Sequence, residues 1–250
     1  MRYNNLATIL VIVIMKKILG VLLVVLISNV LIAQEDSKKG KPDIPGTLLI
    51  DLGFNFLNSA PTSMDTKFFG SKTFNLYYQY DLPFGDSKFS FHPGIGVGID
   101  KYSFDNDVIF SIDADSSVTL DDFATVFPEG TLKKSKLTTT YLDIPLEFRF
   151  HTNPHDKSRS FKVGLGGRLG LLLSSQSKIK YTENGNTIKL KNKQNFDMST
   201  IRYGATARIG IGWFNLFYYH NLSDLFKSDK GPVLGTAITN YTIGLTIAGF

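Results

Sequence analysis

The sequence predicts an all-β fold, namely a transmembrane, antiparallel, up-and-down β-barrel of about eight strands. Three observations predict this fold. About eight segments alternate apolar and polar residues with a period of two. The connections between successive segments are alternately long and short, as in a membrane barrel whose two chain ends lie on the same side. The charged residues of these segments share one face with glycine and threonine, opposite the apolar residues, so a closed barrel would enclose both signs of charge.

The N-terminus has the pattern of an export signal. Met15-Lys16-Lys17 opens a basic region, Ile18–Ile32 is largely apolar, and Ala33 offers a small residue at a cleavage boundary. The apolar run is also long enough for a transmembrane anchor, an alternative that the lysine pair disfavours. The predicted organisation is a signal peptide at 1–33 with Met15 as an alternative start, a flexible periplasmic leader at 34–45 and an outer-membrane barrel at 46–250.

Composition excludes several classes of site and partner. The chain has no cysteine, which excludes disulfides, thiolate metal sites and a cysteine nucleophile. The formal charge of +5 arises from 27 basic and 22 acidic residues, but residues 1–33 hold three basic and no acidic residues. The exported chain therefore keeps 24 basic and 22 acidic residues, a net charge of +2. Such a balance gives no indication of nucleic-acid binding.

Three strands are predicted in the N-terminal part of the barrel. They are Thr47–Leu57, Thr73–Leu82 and Phe89–Ile99, each with apolar residues at alternate positions. A turn at 83–86 joins the second strand to the third. The third strand places Gly94, Gly96 and Gly98 on its polar face, where glycine leaves room for inward side chains of other strands.

A hairpin with two different faces follows, formed by strands four and five. Leu142, Ile144, Leu146, Phe148 and Phe150 share one face of the first strand, and Phe161–Ser174 forms the second strand. A turn at 153–158 joins them and is predicted to be periplasmic. A soluble sandwich would bury the apolar face, whereas a membrane barrel shows it to lipid.

The last three strands are predicted at Ile201–Trp213, from Leu216 to Leu222 and from Tyr241 to Ala248, with a tight turn near Phe214-Asn215. Two long connections separate the middle strands. The first, Asp105–Ser135, is irregular apart from a hairpin through Val108–Ile112 and Val118–Leu120. The second, Gln176–Met198, is polar and contains Asn184-Gly185-Asn186, a strong turn signal.

The inward charges are predicted to form one network. Charges enclosed in a narrow lumen must pair, because an isolated buried charge costs several kcal/mol. We expect Glu147 or Asp143 to pair with Arg168 or Arg202. The predicted network comprises Asp51, Asp81, Asp100, Asp143, Glu147, Arg149, Lys162, Arg168, Arg202 and Arg208. Aromatic residues near strand ends fit girdles at the membrane interfaces, namely Tyr78, Tyr80, Tyr203, Trp213, Tyr218 and Tyr241.

The segment Tyr141-Leu142-Asp143-Ile144-Pro145-Leu146, followed by Gly164-Leu165-Gly166-Gly167, resembles the porin-like outer-membrane β-barrel family that is widespread in Bacteroidetes. The stretch from Leu225-Phe226 to Gly231-Pro232 is also similar to that family. The resemblance implies an outer-membrane location and a barrel architecture, with no shared catalytic motif. Phe250 looks like the assembly signal that the barrel insertion machinery reads. It is out of phase with the apolar residues of the last strand, so that strand is expected to have either a bulge at Ala248-Gly249 or a frayed end.

We predict no catalytic residue, no cofactor and no metal site. Ser90, His92 and Glu147 could form a hydrolase triad, but a hydrogen-bonded lumen histidine is the favoured interpretation of His92. His151 with His155, and the acidic residues of 105–122, are interpreted as solvated rather than as metal ligands.

The predicted function is that of a non-enzymatic outer-membrane barrel with a largely filled lumen, acting structurally or through long extracellular loops. The alternatives are a narrow porin-like channel for small solutes and, more weakly, an outer-membrane lipid hydrolase. The expected partners are outer-membrane lipid, lipopolysaccharide and the insertion machinery, without nucleic acid, and the barrel is expected to be a monomer.

Overall fold

The computed structural model describes residues 46–112, 118–153, 159–228, 230–233 and 235–248. The strands are β1 (Gly46–Asn58), β2 (Lys72–Tyr80), β3 (Leu82–Pro83), β4 (Phe89–Phe104), β5 (Val108–Ile112), β6 (Val118–Asp122), β7 (Gly130–His151), β8 (Phe161–Glu183), β9 (Asn186–Asn192), β10 (Ile201–Ile211), β11 (Phe214–Asn221) and β12 (Thr239–Ala248). Two short 3-10 turns lie at Thr62–Met64 and Phe68–Gly70, and a single helical turn, α1, lies at Phe123–Val126. None of the described helices has the length and apolar character needed to cross a membrane.

Eight of these strands pair in a ring. Along the ring each strand is antiparallel to both neighbours, in the order β1, β2, β4, β7, β8, β10, β11 and β12, and β12 pairs back with β1. The remaining strands extend or flank the ring: β3 pairs with β4, β9 pairs with β8, and β5 pairs with β6 in a separate two-stranded sheet. The predicted all-β, antiparallel fold of about eight strands is confirmed.

The two faces of the sheet differ in polarity, because strand residues alternate between faces. Along β2, for example, Phe74, Leu76 and Tyr78 are exposed, whereas Thr73 and Asn75 are buried. The same arrangement recurs around the ring, where large apolar side chains cover the outside and polar side chains fill the inside. A protein in water does the opposite, so the outer face is suited to lipid.

Three strands run further than the sequence predicts, since β4 continues from the predicted end at Ile99 to Phe104, and β7 and β8 are also longer. β7 begins at Gly130, inside the segment 105–135 that was predicted to be irregular apart from its hairpin, and β8 continues to Glu183. The predicted polar connection 176–198 therefore contains the end of β8 and the whole of β9. Above a membrane a strand needs no apolar outer face, so the expected alternation is missing from the sequence there. The predicted hairpin of β5 and β6 is present.

Two tight turns illustrate how backbone conformation fixes register. Asn184 and Gly185 both have positive φ, 48° and 77°, and Glu183 pairs with Asn186, so the predicted turn is a two-residue type I′ loop. The last tight turn lies at Gly212-Trp213 and not at Phe214-Asn215, since Ile211 pairs with Phe214. Gly212 has a φ of 57°, which favours glycine at the first position of such a loop.

The ring has one end with short turns and one end with long connections, here called the short-turn end and the long-connection end. Over the long-connection end, side chains of several connections pack into one apolar cluster, the apolar cap. Phe110 of β5 lies at its centre, with ring centroids 5.0 Å from Phe104 and 6.4 Å from Phe226. The buried members are Met64, Tyr102, Phe104, Phe110, Val118, Leu137, Phe196, Met198, Leu225, Phe226 and Ile238.

Several predicted features lie outside the described residues. They are the signal peptide and leader, most of the turn at 153–158 with His155 and Asp156, the acidic residues Asp113 and Asp115, Gly249 of the expected bulge, and Phe250.

Candidate functional site: a charge-filled lumen

The inner face of the ring carries charged side chains that are almost fully buried. Strand alternation directs them inward, and eight of them, which are named next, are each at most 7% exposed. Eight such residues are linked by hydrogen bonds or ion pairs, and they form the lumen network: Asp51, Asp100, Asp143, Glu147, Arg149, Arg168, Arg202 and Arg208. Four carboxylates thus balance four guanidinium groups.

Arg202 organises the half of the network nearer the long-connection end. Its guanidinium donates to Asp143 through Nε at 3.1 Å and Nη2 at 2.7 Å, and to Asp100 through Nη1 at 2.5 Å. Thr73 also donates to Asp100, at 2.5 Å. Because β10 and β4 are separated by two strands of the ring, the contact between Arg202 and Asp100 crosses the lumen.

Tyr77 of β2 links this half to a second arginine. Its hydroxyl donates to Asp143 at 2.8 Å and accepts from Nη1 of Arg168 at 2.6 Å. The guanidinium of Arg168 also stacks on Tyr219, with Cζ 3.5 Å from the ring centroid. Such stacking is favourable for a cation shielded from water. β2 and β8 are three steps apart in the ring, so this contact also spans the interior.

Arg208 organises the half nearer the short-turn end. It donates to Asp51 through Nη1 at 2.9 Å and to Glu147 through Nε at 3.3 Å. Thr246 of β12 donates to the same carboxylate of Asp51 at 2.6 Å, and Arg149 donates to Glu147 at 2.6 Å. Arg208 therefore joins β10 to β1 and β7 at once.

His92 lies beyond Arg149 at the short-turn end. Its Nε2 is 2.8 Å from the hydroxyl of Ser90 and 3.3 Å from Asp81, while its Nδ1 is 3.2 Å from Nη1 of Arg149. Since a guanidinium only donates, Nδ1 accepts and the proton of a neutral ring lies on Nε2. A hydrolase needs the reverse arrangement, with a carboxylate at Nδ1 and a free Nε2 facing the serine. This geometry disfavours the triad of Ser90, His92 and Glu147.

Glycine makes room for the charged groups at several points of the inner face, of which Gly98 and Gly164 are examples. A Cβ at Gly98 would meet carboxylate and guanidinium atoms of Asp143 and Arg202, and a Cβ at Gly164 would meet the carboxylate of Glu147. The alternating glycines of β4 and β8 therefore allow long charged side chains from neighbouring strands to fill the interior.

The observed pairs differ in part from those expected from sequence. Asp143 contacts both Arg202 and Arg168, the latter at 3.8 Å, but Glu147 contacts Arg149 and Arg208 instead. Of the other two residues assigned to the network, Asp81 lies beside His92, and Lys162 is buried at the short-turn end opposite His151.

Three uncharged inward residues, which were not among the predicted members, complete the network. Tyr77 is the most central, and Gln79 accepts from Arg149 while Asn55 donates to Asp100 at 3.3 Å. All three occupy inward positions, Asn55 on β1 and Tyr77 and Gln79 on β2, so strand alternation was a signal that could have identified them.

The outward aromatic residues predicted for the girdles lie on the outer surface. Tyr78, Tyr80, Tyr203, Trp213 and Tyr218 are exposed by 38% to 58%, and Tyr241 is half-buried, with its ring stacked on Phe56 at 4.9 Å.

The chain matches one family model and is similar to several solved structures. The family model described as "outer membrane protein beta-barrel domain" matches residues 33–227. No curated protein matches the chain. Solved structures similar to the chain include the attachment invasion locus protein Ail of Yersinia pestis, with 13% identity, coverage of 81% of this chain and 97% of that chain, and a TM-score of 0.37. The structure of Neisserial surface protein A is 11% identical, and the match covers 82% of this chain and 96% of that chain with a TM-score of 0.36. The structure of a major outer membrane protein of Thermus thermophilus is 11% identical, and the match covers 81% of this chain and 99% of that chain with a TM-score of 0.39.

The family match covers more than three quarters of the sequence and includes most of the eight-strand ring. Both its extent and the outward apolar face agree with a barrel that spans a membrane. The chain belongs to the outer membrane protein beta-barrel domain family and is located in the outer membrane.

Proposed function

We propose that this protein is a non-conducting, non-enzymatic barrel whose filled lumen rigidly supports an extracellular interaction surface. The observation that carries this proposal is the lumen network, whose contacts reach from β10 to β1 and β4 and from β8 to β2. An eight-stranded barrel has an interior just wide enough for side chains, and here those side chains are bonded to one another across it.

The apolar cap supports the same proposal independently. A conducting pore needs a continuous polar path, whereas the long-connection end is covered by a cluster in which Phe110, Phe104 and Met198 are each at most 5% exposed. An ion that entered from this end would first have to pass an apolar layer and then a network with no net charge.

The extracellular surface is built by the long connections. Outer-membrane barrels have short periplasmic turns and longer external loops, so the extensions of β7 and β8, with β9 and the hairpin of β5 and β6, would face the outside. A rigid scaffold that presents loops is the usual way in which barrels without a pore take part in recognition.

Planar-bilayer recording tests the proposal. The purified full chain is expected to give no steady single-channel currents, and steady currents of constant amplitude would favour the porin-like alternative instead. The hydrolase alternative is tested separately, by comparing membrane lipid profiles of cells that express the wild type or His92→Ala. A lipid product that depends on His92 would contradict a non-enzymatic role.

Four finer assignments accompany this proposal. We infer that the chain is of the porin-like type found in Bacteroidetes, on the strength of the segment Tyr141–Leu146. We also infer that residues 1–33 are removed on export. The partners of the protein are the barrel insertion machinery and lipopolysaccharide, and the barrel is a monomer. N-terminal sequencing of the protein from an outer-membrane fraction tests the cleavage, for which Gln34 is the expected first residue.

A further inference from the structure

Six lysines form two rows across the outer face of the extended sheet, and this patch is here called the lysine face. In the first row Lys136 of β7 lies directly opposite Lys178 of β8, which lies opposite Lys191 of β9. In the second row Lys134, Lys180 and Lys189 are paired in the same way. Like charges directly opposite one another destabilise a sheet, and an anion bound between them would offset that repulsion.

No acidic side chain interrupts the lysine face. The segments 130–142, 172–182 and 186–192 contain no aspartate or glutamate. Within the described residues none of the six ammonium groups takes part in an ion pair. The pKa of Lys136 is lowered, first by burial and then by the charges of Lys101, Lys134, Lys178 and Lys72, so the lysines act on one another.

The lysine face continues the lipid-facing surface of the barrel. Lys72 and Lys101, which are also directly opposite each other, stand two residues beyond the outward side chains Phe74 and Ile99. An aromatic group marks the same height, because Lys72 is opposite Phe54, whose ring stacks on that of Phe68 at 4.5 Å. Aromatic belts lie at the level of lipid headgroups.

The heights of the lysines indicate which lipid would fit. One residue of a strand tilted by roughly 40° rises about 2.5 Å along the membrane normal. Lys72 and Lys101 then lie about 5 Å above the last apolar side chains of their strands, and the lysine face lies about 12–20 Å above Leu142 and Leu173. A phospholipid headgroup layer is only about 5–7 Å thick, so the upper lysines would reach phosphates on a lipid with a saccharide headgroup.

We propose that the lysine face, together with Lys72 and Lys101, binds the phosphate groups of a phosphorylated glycolipid in the outer leaflet. Lys72 and Lys101 contact phosphates of the lipid anchor, and the two rows contact phosphates on its inner sugars. The proposal assigns a site to the expected lipopolysaccharide partner. This proposal depends on the outer-membrane location and not on a closed lumen. Currents in the bilayer recording would therefore contradict the proposed function without contradicting the lipid site.

The test compares two triple variants of the full chain in detergent micelles. Lys136→Gln/Lys178→Gln/Lys191→Gln removes one row, and the matched control Lys88→Gln/Lys227→Gln/Lys230→Gln removes three charges elsewhere on the surface. The probe is fluorescent lipopolysaccharide. Since each lysine near an anionic surface contributes about fivefold to binding, the row variant should bind at least about tenfold more weakly, and the control within about twofold of wild type.

Three results would overturn the proposal. They are a row variant that binds like wild type, a wild type that binds dephosphorylated lipopolysaccharide equally well, and a soluble sulfated polysaccharide that binds as tightly as the glycolipid. The last result would indicate a soluble polyanion as the partner.

Heat-modifiable gel migration checks that each variant folds. If the row variant does not fold, two other measurements decide. The wild type should lose binding when the lipid phosphates are removed, and the charge-conserving variant Lys136→Arg/Lys178→Arg/Lys191→Arg should bind like wild type. Failure of either expectation would count against the proposal.

Discussion

Replacing Arg208 by methionine should destabilise the barrel strongly, because the change leaves a buried carboxylate without a cation. Arg208 is 7% exposed and contacts Asp51 at 2.9 Å and Glu147 at 3.3 Å. After the change Glu147 keeps Arg149, whereas the partners that Asp51 keeps among the described residues are uncharged donors, including Thr246.

The magnitude follows from the number of charges left unpaired. One buried carboxylate that has lost its partner costs about 3–5 kcal/mol, whereas replacing a whole buried pair by neutral groups is often nearly neutral. Arg208→Met should therefore lose about 3–5 kcal/mol in the free energy of unfolding, and Asp51→Asn/Arg208→Met should recover most of that loss. Arg159→Met, at an exposed arginine near the short-turn end, is the control and should stay within about 0.5 kcal/mol of wild type.

Urea unfolding in phospholipid vesicles measures these differences. Trp213, the only tryptophan of the chain, is 58% exposed in a turn at the short-turn end and reports unfolding by fluorescence. A shift of the midpoint at constant slope is a change of stability alone. Two results would contradict an ion pair between Asp51 and Arg208 as the cause. One is a cost of less than about 1 kcal/mol for Arg208→Met, and the other is a double variant that loses as much as Arg208→Met and Asp51→Asn added together.

Three further predictions concern single contacts. Tyr77→Phe removes the hydroxyl between Arg168 and Asp143 and should lower the free energy of unfolding by about 1–3 kcal/mol. The control Tyr78→Phe, on the lipid face, should have almost no effect. Equal losses of stability in the two variants would contradict the placement of Tyr77 in the lumen and Tyr78 outside. Gly98→Ala should cost about 1–3 kcal/mol because its Cβ would meet Asp143 and Arg202, whereas Gly167→Ala, with no atom closer than 3.5 Å, should cost less in the same urea assay. Gly185→Ala should destabilise the β8–β9 hairpin by about 1–2 kcal/mol, since φ is 77° at this position. We expect trypsin to cleave this hairpin faster while the heat-modifiable migration of the barrel stays unchanged. An unchanged cleavage rate would contradict the predicted strain at Gly185.

Strand alternation made the ring and its two faces predictable from sequence. A strand between lipid and a polar lumen has to alternate with a period of two, and segments such as Thr73–Leu82 follow that rule closely. The outer-membrane location was predictable for the same reason. The turn at Asn184-Gly185 was predictable because few other dipeptides adopt positive φ at both positions.

The partners of individual charges were harder to predict. Alternation tells which face a residue occupies, but the stagger of the strands sets its height, and the sequence does not reveal that stagger. Glu147 therefore meets Arg208, which is two strands away in the ring, rather than Arg168 on the adjacent strand. The turn at Gly212-Trp213 was misplaced for a related reason, since Ile209, Ile211 and Trp213 continue the alternation through the turn itself.

The cross-lumen contacts of Arg208 also bear on how the barrel is completed in the membrane. Its partners Asp51 and Thr246 lie on β1 and β12, the first and last strands of the ring, while Glu147 lies on β7. An open sheet that had inserted only some of these strands would hold charges in a low-dielectric layer with no partner, at a cost of several kcal/mol each. Partly assembled barrels are therefore penalised twice, by their unpaired strand edges and by their unpaired charges. Edge pairing and charge neutralisation are reached together, when β12 meets β1 and the two edges of the sheet close on each other.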